Sequence, residues 1–191
     1  MSLDAELASV EQRQLAEVFS RAFAGFPWYR DLPVDELEER VASHAALPGY
    51  GRLVELGEDT RIKAAIWYDT PSLDELEAER GVQLREFAAS TLLKHQLSTV
   101  VWEREVLVDP STQGQGLGTK LRQNMLESLS QKFPSGALLL TRMRDDNTPI
   151  IRIAEKLDYQ RTGVRMPSGT GQQAFHEFWY RLIGASNEND R

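Results

Sequence analysis

One stretch constrains the fold more than any other: Val106-Leu107-Val108-Asp109-Pro110-Ser111-Thr112-Gln113-Gly114-Gln115-Gly116-Leu117-Gly118-Thr119. A Val-rich apolar run reads as a strand, the glycines read as a turn, and Leu117, Leu121, Met125 and Leu129 then recur four residues apart, as on one face of a helix. The first amides of a helix lack partners in the helix and carry the positive end of its dipole. Glycines let such a backbone approach an anion without Cβ atoms in the way. The element therefore suits a phosphate or pyrophosphate, the alternative being a tight turn with no ligand. Two familiar phosphate loops do not fit. The nucleotide loop requires four residues between its glycines and then Gly-Lys-Ser/Thr, whereas here Lys120 follows Thr119. The dinucleotide fingerprint requires a third glycine where Thr119 stands, after an early strand–helix–strand unit that this chain lacks.

Around this stretch the period alternates between helix and strand. Leu3, Leu7, Val10, Leu15, Val18, Phe19, Ala22 and Phe23 form one stripe of a helix that Gly25-Phe26-Pro27-Trp28 breaks. A second helix is expected over 34–46. Strands over 51–57 and 61–68 join around Gly57-Glu58-Asp59 as a hairpin. Helical composition returns over 71–96, with Gly81 as a break, and a strand follows over 98–108. After the helix of 117–132 come a strand over 137–143, a helix over 149–157 that Thr148 can cap, and strands over 159–165 and 173–182. The order is that of a mixed α/β chain with a central crossover unit.

Gln113-Gly114-Gln115-Gly116-Leu117-Gly118, following Val108-x-Pro110, resembles the pyrophosphate loop of the GNAT superfamily of N-acetyltransferases, and the element order matches over about Leu53 to Ile183. The resemblance implies an α/β (α+β) fold: a mixed, largely antiparallel central sheet with a splayed pair of strands and helices on both faces. It implies a single acetyltransferase domain over 1–185, with a helical insertion at about 71–97 and a polar tail at 186–191. It also implies an acyltransferase that moves an acetyl group from acetyl-CoA, its co-substrate, directly to a primary amine on a small molecule or peptide, with no metal. Carried over position by position, Val106, Leu107 and Val108 match the segment that binds the pantetheine arm and the thioester. Gln113, Gly114, Gln115, Gly116, Leu117, Gly118 and Thr119 match the pyrophosphate turn, and Asn147 matches an asparagine beside the pantetheine. A non-catalytic acyl-CoA sensor is the alternative, because the family's usual acid, a tyrosine seven residues after that asparagine, is Ala154 here.

Direct transfer needs a base for the amine, donors for the thioester oxygen and a proton for the departing thiolate. Glu103 and Glu105, just upstream of the cofactor segment, are the candidate bases. On a regular strand they share a face roughly 7 Å apart. Charge on a Val-rich central strand is costly unless paired or functional, so an ion pair with Arg142 or another arginine is the competing role. The parity of Val108 selects Trp102 and Arg104 as substrate-facing instead, and a bulge would reset it. Tyr159, and more weakly Tyr180, are the candidate acids, while Asp158 stands where the family often has glycine. His44, His95 and His176 lack metal-site spacing.

The 26 residues of 71–96 exceed an ordinary connection, and they are read either as a dimer contact or structural cap or as a border of the acceptor pocket. Trp67, Tyr68 and Trp102 would line it, and Asp74, Glu75, Glu77 and Glu79 would attract a cation. Composition adds exclusions. A net charge of -7 disfavours nucleic acid and anionic membrane. The absence of cysteine removes disulfides, thiolate metal sites and a Cys nucleophile. The opening Met1-Ser2-Leu3-Asp4-Ala5-Glu6 has no leader pattern, so a cytoplasmic monomer or homodimer is expected.

Overall fold

The computed structural model describes residues 3–25, 27–168 and 174–184. The helices are α1 (Leu3–Ala24), α2 (Val34–Ala45), α3 (Leu73–Arg80), α4 (Val82–Lys94), α5 (Leu117–Lys132) and α6 (Thr148–Lys156). The strands are β1 (Gly51–Leu56), β2 (Ile62–Asp69), β3 (Val100–Val108), β4 (Ala137–Arg144), β5 (Gln160–Pro167) and β6 (Phe175–Ile183). They form one sheet in the order β1-β2-β3-β4-β6-β5, in which only β3 and β4 run parallel. The expected start of the last strand at Gln173 and the polar tail at 186–191 lie outside the described residues.

Local chemistry explains the boundaries. Ser72 and Glu75 close a reciprocal capping box at the start of α3. Gly81 then takes φ +87 and separates α3 from α4, as its position suggested. One expectation fails: Thr148 is the first residue of α6 and not its cap. Asn147 holds the cap position without a side-chain bond, so Pro149 and the packing of the apolar face define this start.

The two faces are covered differently. Ala64, Ile66, Tyr68, Val101, Leu139 and Trp179 pack under α5 and α6 in one continuous core. The other face carries two separate cores. Ala65, Trp67 and Leu107 lie under α1 and α2, while Trp102, Leu138, Leu140 and Phe178 lie under α3 and α4. Between those two cores runs a polar seam.

Two irregularities of β3 shape everything that follows. It pairs with β4 only from Val100–Leu138 to Glu103–Thr141, and beyond that the strands part. Against β2 the register is Trp67–Glu105 and then Tyr68–Glu103, so Arg104 is an extra residue in a bulge. Side chains opposite one another share a face, which sends Glu103 with Tyr68 toward α5 and Glu105 with Trp67 toward α2. The regular-strand expectation that the two carboxylates share a face is thereby corrected: Arg104 and Glu105 sit together on the seam side, and Glu103 lies behind them.

Candidate active site

Where β3 leaves β4, its edge from Arg104 to Val108 has no neighbouring strand, so main-chain groups there are free for a ligand. A cavity of about 660 Å³ follows this opening. Val106, Val108, Ile150 and Ile153 wall it from the α5–α6 side, Phe23 and Trp28 from the α1 side, and the glycine turn closes its end. The walls are mainly apolar and the closing turn is polar main chain.

That turn is built for the purpose. Gly116 caps α5 with φ +80, and Lys120 is the first of the helix to bond back, to the Gly116 carbonyl. The amides before it have no partner inside the helix. A Cβ added at Gly114 or Gly116 would meet nothing within 4 Å, so both amides border open space. Asp109 secures the turn. It accepts from the Ser111 amide at 2.9 Å and hydroxyl at 2.6 Å, and from Arg21 of α1 at 2.7 Å. Burial pushes its carboxyl upward, but the Ser111 and Arg21 bonds outweigh it and hold the group below its ordinary value.

Glu103 sits at the vertex of the opening and is 1% exposed, as is Arg122. Arg122 of α5 donates to its Oε1 through Nη2 at 2.5 Å and Nε at 3.2 Å, and Thr141 of β4 adds a bond at 3.0 Å. Tyr159, between α6 and β5, donates its hydroxyl to Oε2 at 3.1 Å. Burial, and then the Glu103 charge, raise the Tyr159 phenol well above its ordinary value. Four side chains from four parts of the chain thus clamp the last paired position of β3 and β4. Neither Glu103 nor Tyr159 lines the cavity.

Glu105 faces the seam. Its carboxylate accepts from Arg40 of α2 at 2.5 Å. Burial raises its pKa, and Arg40, Arg142 and Arg80 oppose that shift. Beside it Arg104 makes paired bonds to Asp69, at 2.6 and 3.0 Å, and to Glu79 of α3, at 3.0 Å each. Arg80 lies 5.0 Å over the Trp102 ring. His44 accepts from Trp67 Nε1 at 3.1 Å, and His176 lies against Trp28 at 6.0 Å between ring centres. Burial lowers both histidines to about 4, helped by Arg40 at His44 and Arg142 at His176.

Of the expected cofactor residues, Val106, Val108, Gln113, Gly114, Gly116, Leu117, Gly118, Thr119 and Asn147 line the cavity. Leu107 is fully buried under α1 and α2. Gln115 lines a neighbouring depression with Glu55 and Lys63. Among the expected acceptor residues, Arg104 and Trp102 border the seam, while Trp67 is packed beneath Phe19 and His44. Tyr68 lies on the opposite face. The segment 71–96 does abut the seam, through Glu79 and Arg80. Its acidic run forms no cation trap, because Glu75 is spent in the capping box and Glu79 on Arg104. Tyr180 bonds Gln160 at 2.6 Å at the surface.

Sequence reasoning missed Arg40, Arg80, Arg122 and Trp28. Arg122 left a signal, since with Gly118, Met125 and Leu129 it shares the buried stripe of α5, where a charge must have a partner. The others leave none, because their roles depend on contacts between elements distant in sequence. Among the described residues, no group of three or more His, Asp or Glu could hold a metal ion, and no helix is long and apolar enough to cross a membrane.

A sheet forked beside a turn of unpaired amides offers an elongated site that ends on an anion-binding turn, and comparison with known proteins names the class. A sequence profile of the GNAT acetyltransferase family matches residues 60–159, more than half of the chain. The chain belongs to the GNAT acetyltransferase family. As a member it is an N-acetyltransferase, moving an acetyl group from acetyl-CoA to an amine. No curated protein matches it in sequence. Solved structures share its fold. The phosphinothricin acetyltransferase of Sinorhizobium meliloti, in complex with acetyl-CoA, is similar with a TM-score of 0.63 at 13% identity, over 94% of this chain and 86% of that one. The ribosomal-protein-S18-alanine N-acetyltransferase of Escherichia coli gives 0.59 at 17%, over 93% and 92%. The ribosomal-protein-alanine N-acetyltransferase of Brucella melitensis gives 0.64 at 13%, over 92% and 96%.

Proposed function

We propose that acetyl-CoA lies in the forked cavity and that the acceptor amine approaches from the seam, with Glu105 as its base. The observation that carries this reading is the continuity of three features: the free edge of β3, the cavity along it, and the unpaired amides at its end. The residues fit the ligand. An anion is matched by the amides of Gly114, Gly116, Leu117, Gly118 and Thr119, and an amide-bearing arm by the strand edge beside Val106 and Val108.

Bound acetyl-CoA supplies the acyl group already activated as a thioester. Glu105 immediately precedes the cavity-lining Val106, and its raised pKa makes it a better proton acceptor than an ordinary carboxylate. Arg40 fixes its orientation. Main-chain N–H groups of the β3 edge would polarise the carbonyl. Ala154 has no acidic proton and the Tyr159 hydroxyl is committed to Glu103, so neither protonates the leaving thiolate. Water or the acceptor's own proton serves instead. In this reading Glu103 and Tyr159 are positioning residues that hold the fork.

We read 1–185 as one catalytic domain, with α3 and α4 as an insertion that closes the acceptor side, in a cytoplasmic protein. The test of cofactor placement is thermal stability with and without acetyl-CoA. A ligand bound only to the folded state raises the midpoint in proportion to ln(1 + [L]/Kd). Gly116→Val, which sets a branched side chain before the amides, is expected to abolish that rise. An undiminished shift in the variant would remove acetyl-CoA from this turn.

A further inference from the structure

The seam holds more positive than negative charge. Four arginines converge there, Arg40, Arg80, Arg104 and Arg142, against three carboxylates, Asp69, Glu79 and Glu105. Every carboxylate is already engaged: Glu105 by Arg40, Asp69 by Arg104, and Glu79 by Arg104 and Arg80. Among the described residues Arg142 makes no hydrogen bond or ion pair, although it is half-buried on β4 opposite Phe178. Its charge is the surplus.

Two more groups on the same side lack partners among the described residues. Arg80 Nε and Trp102 Nε1 are both buried donors without an acceptor, and the Arg80 guanidinium lies over the Trp102 ring. Buried polar groups are rarely left so, and a buried cation without a counter-ion is costlier still. Arg80 lies between Trp102, whose ring it covers, and the charge of Arg142, so two orphan donors and a surplus guanidinium meet at one place and describe a receptor for an oxyanion, planar or tetrahedral. His176 beside them stays neutral near pH 7, because burial and then Arg142 and Arg144 depress its pKa to about 4. It adds no positive charge of its own.

We propose that the acceptor is an amine bearing an acid group, as in a free α-amino acid, and that Arg142, with Arg80 Nε and Trp102 Nε1, receives that acid group while the amine faces Glu105. This rests on the acetyl-transfer reading above and narrows its substrate class. It reverses the cation-attracting pocket expected from the acidic run of α3.

The experiment uses matched pairs: free L-amino acids and their C-terminal amides, each pair with the same side chain, assayed for acetyl-CoA turnover. The amides have the less basic amine, so more of it is neutral and any preference for the acid cannot come from the amine. Free acids are expected to show kcat/KM at least about ten-fold above their amides. A charge-assisted bond is worth about 1.5–3 kcal/mol, so Arg142→Gln should raise the acid's KM about 10- to 100-fold and bring the acid-to-amide ratio toward one. The KM for acetyl-CoA should hold. Trp102→Phe, which keeps a ring but removes its N–H, should act in the same direction by a few-fold. Amides used as well as acids, an equal loss on both substrates in Arg142→Gln, or turnover of peptide amines alone would each overturn the proposal. So would the absence of any turned-over acid while acetyl-CoA still stabilises the protein. If acetyl-CoA neither stabilises the protein nor turns over with any amine, the acetyl-transfer reading falls and takes this proposal with it.

Discussion

At the scale of single residues, the proposed reading assigns chemistry to one glutamate of β3 and architecture to the other. Glu105→Gln is expected to lower kcat by about 10²–10⁴-fold while leaving the affinity for acetyl-CoA unchanged. The wild-type rate should fall as the pH drops through an apparent pKa above the usual carboxylate range, and the variant should lack that limb. Glu103→Gln should behave in the opposite way. Arg122 would keep its charge in a fully buried place with no counter-ion, at a cost on the order of 3 kcal/mol in unfolding free energy. Denaturant unfolding of both variants, set beside their rates, checks the division. A rate loss in Glu103→Gln with full stability would reverse the two roles. The sequence singled out both residues correctly as charges in an apolar strand. It could not tell them apart, because the bulge at Arg104 arises from pairing with β2 and leaves no mark in β3 itself.

At the scale of elements, the glycine turn and the helix it feeds were legible because their chemistry is local: φ, unpaired amides and apolar spacing are properties of consecutive residues. The junction of α6 and β5 was legible for the same reason, though only as an oddity. The resemblance sets Asp158 where glycine is expected, and the residue takes φ +56. The Tyr159 amide bonds the Ala154 carbonyl and the Asp158 amide bonds that of Glu155, the two bonds of a helix stop that requires a left-handed residue. Asp158→Gly is therefore expected to stabilise the protein by about 0.5–1 kcal/mol, by relieving the strain of a side chain in that region. Its ion pair with Arg181 is 3.9 Å long and its side chain is 87% exposed, so nothing measurable is lost with it. A calorimetric midpoint that stays or falls would contradict this. The seam was not legible at this scale, because it is assembled from α2, α3, β3, β4 and β6.

At the scale of the whole molecule, the seam sets how stability answers to pH. His44 and His176 titrate near 6.5 in the unfolded chain and about 4 in the folded one. Between those values each histidine binds more protons in the unfolded chain, so their contribution to stability is complete above about pH 6.5 and is lost as the pH falls toward 4. Burial causes most of it, and the neighbouring arginines add to it. His44→Asn keeps an acceptor for Trp67 Nε1 but cannot take up a proton. It should flatten the decline in urea midpoint between pH 7 and 5, and an unchanged slope would exclude His44 as a source. The global architecture was readable through the family resemblance that the glycine loop carries, whereas the order of elements alone gave a mixed α/β chain with one crossover unit. The charge balance of the seam was not, since the overall excess of acidic residues conceals an interior that is locally basic.

The clamp at Glu103 has a mechanical consequence. A ligand seated between β3 and β4 acts as a wedge, and a wedge driven between two strands tends to unzip the pairs ahead of it. Only four residue pairs join these strands, and the last is riveted sideways by Arg122 from one helix and by Tyr159 from beyond another. The load of opening therefore passes out of the backbone ladder and into side chains anchored in the continuous core. Any widening of the cleft beyond that rivet would fall on the unpaired stretch from Arg104 onward, the stretch that also carries the seam.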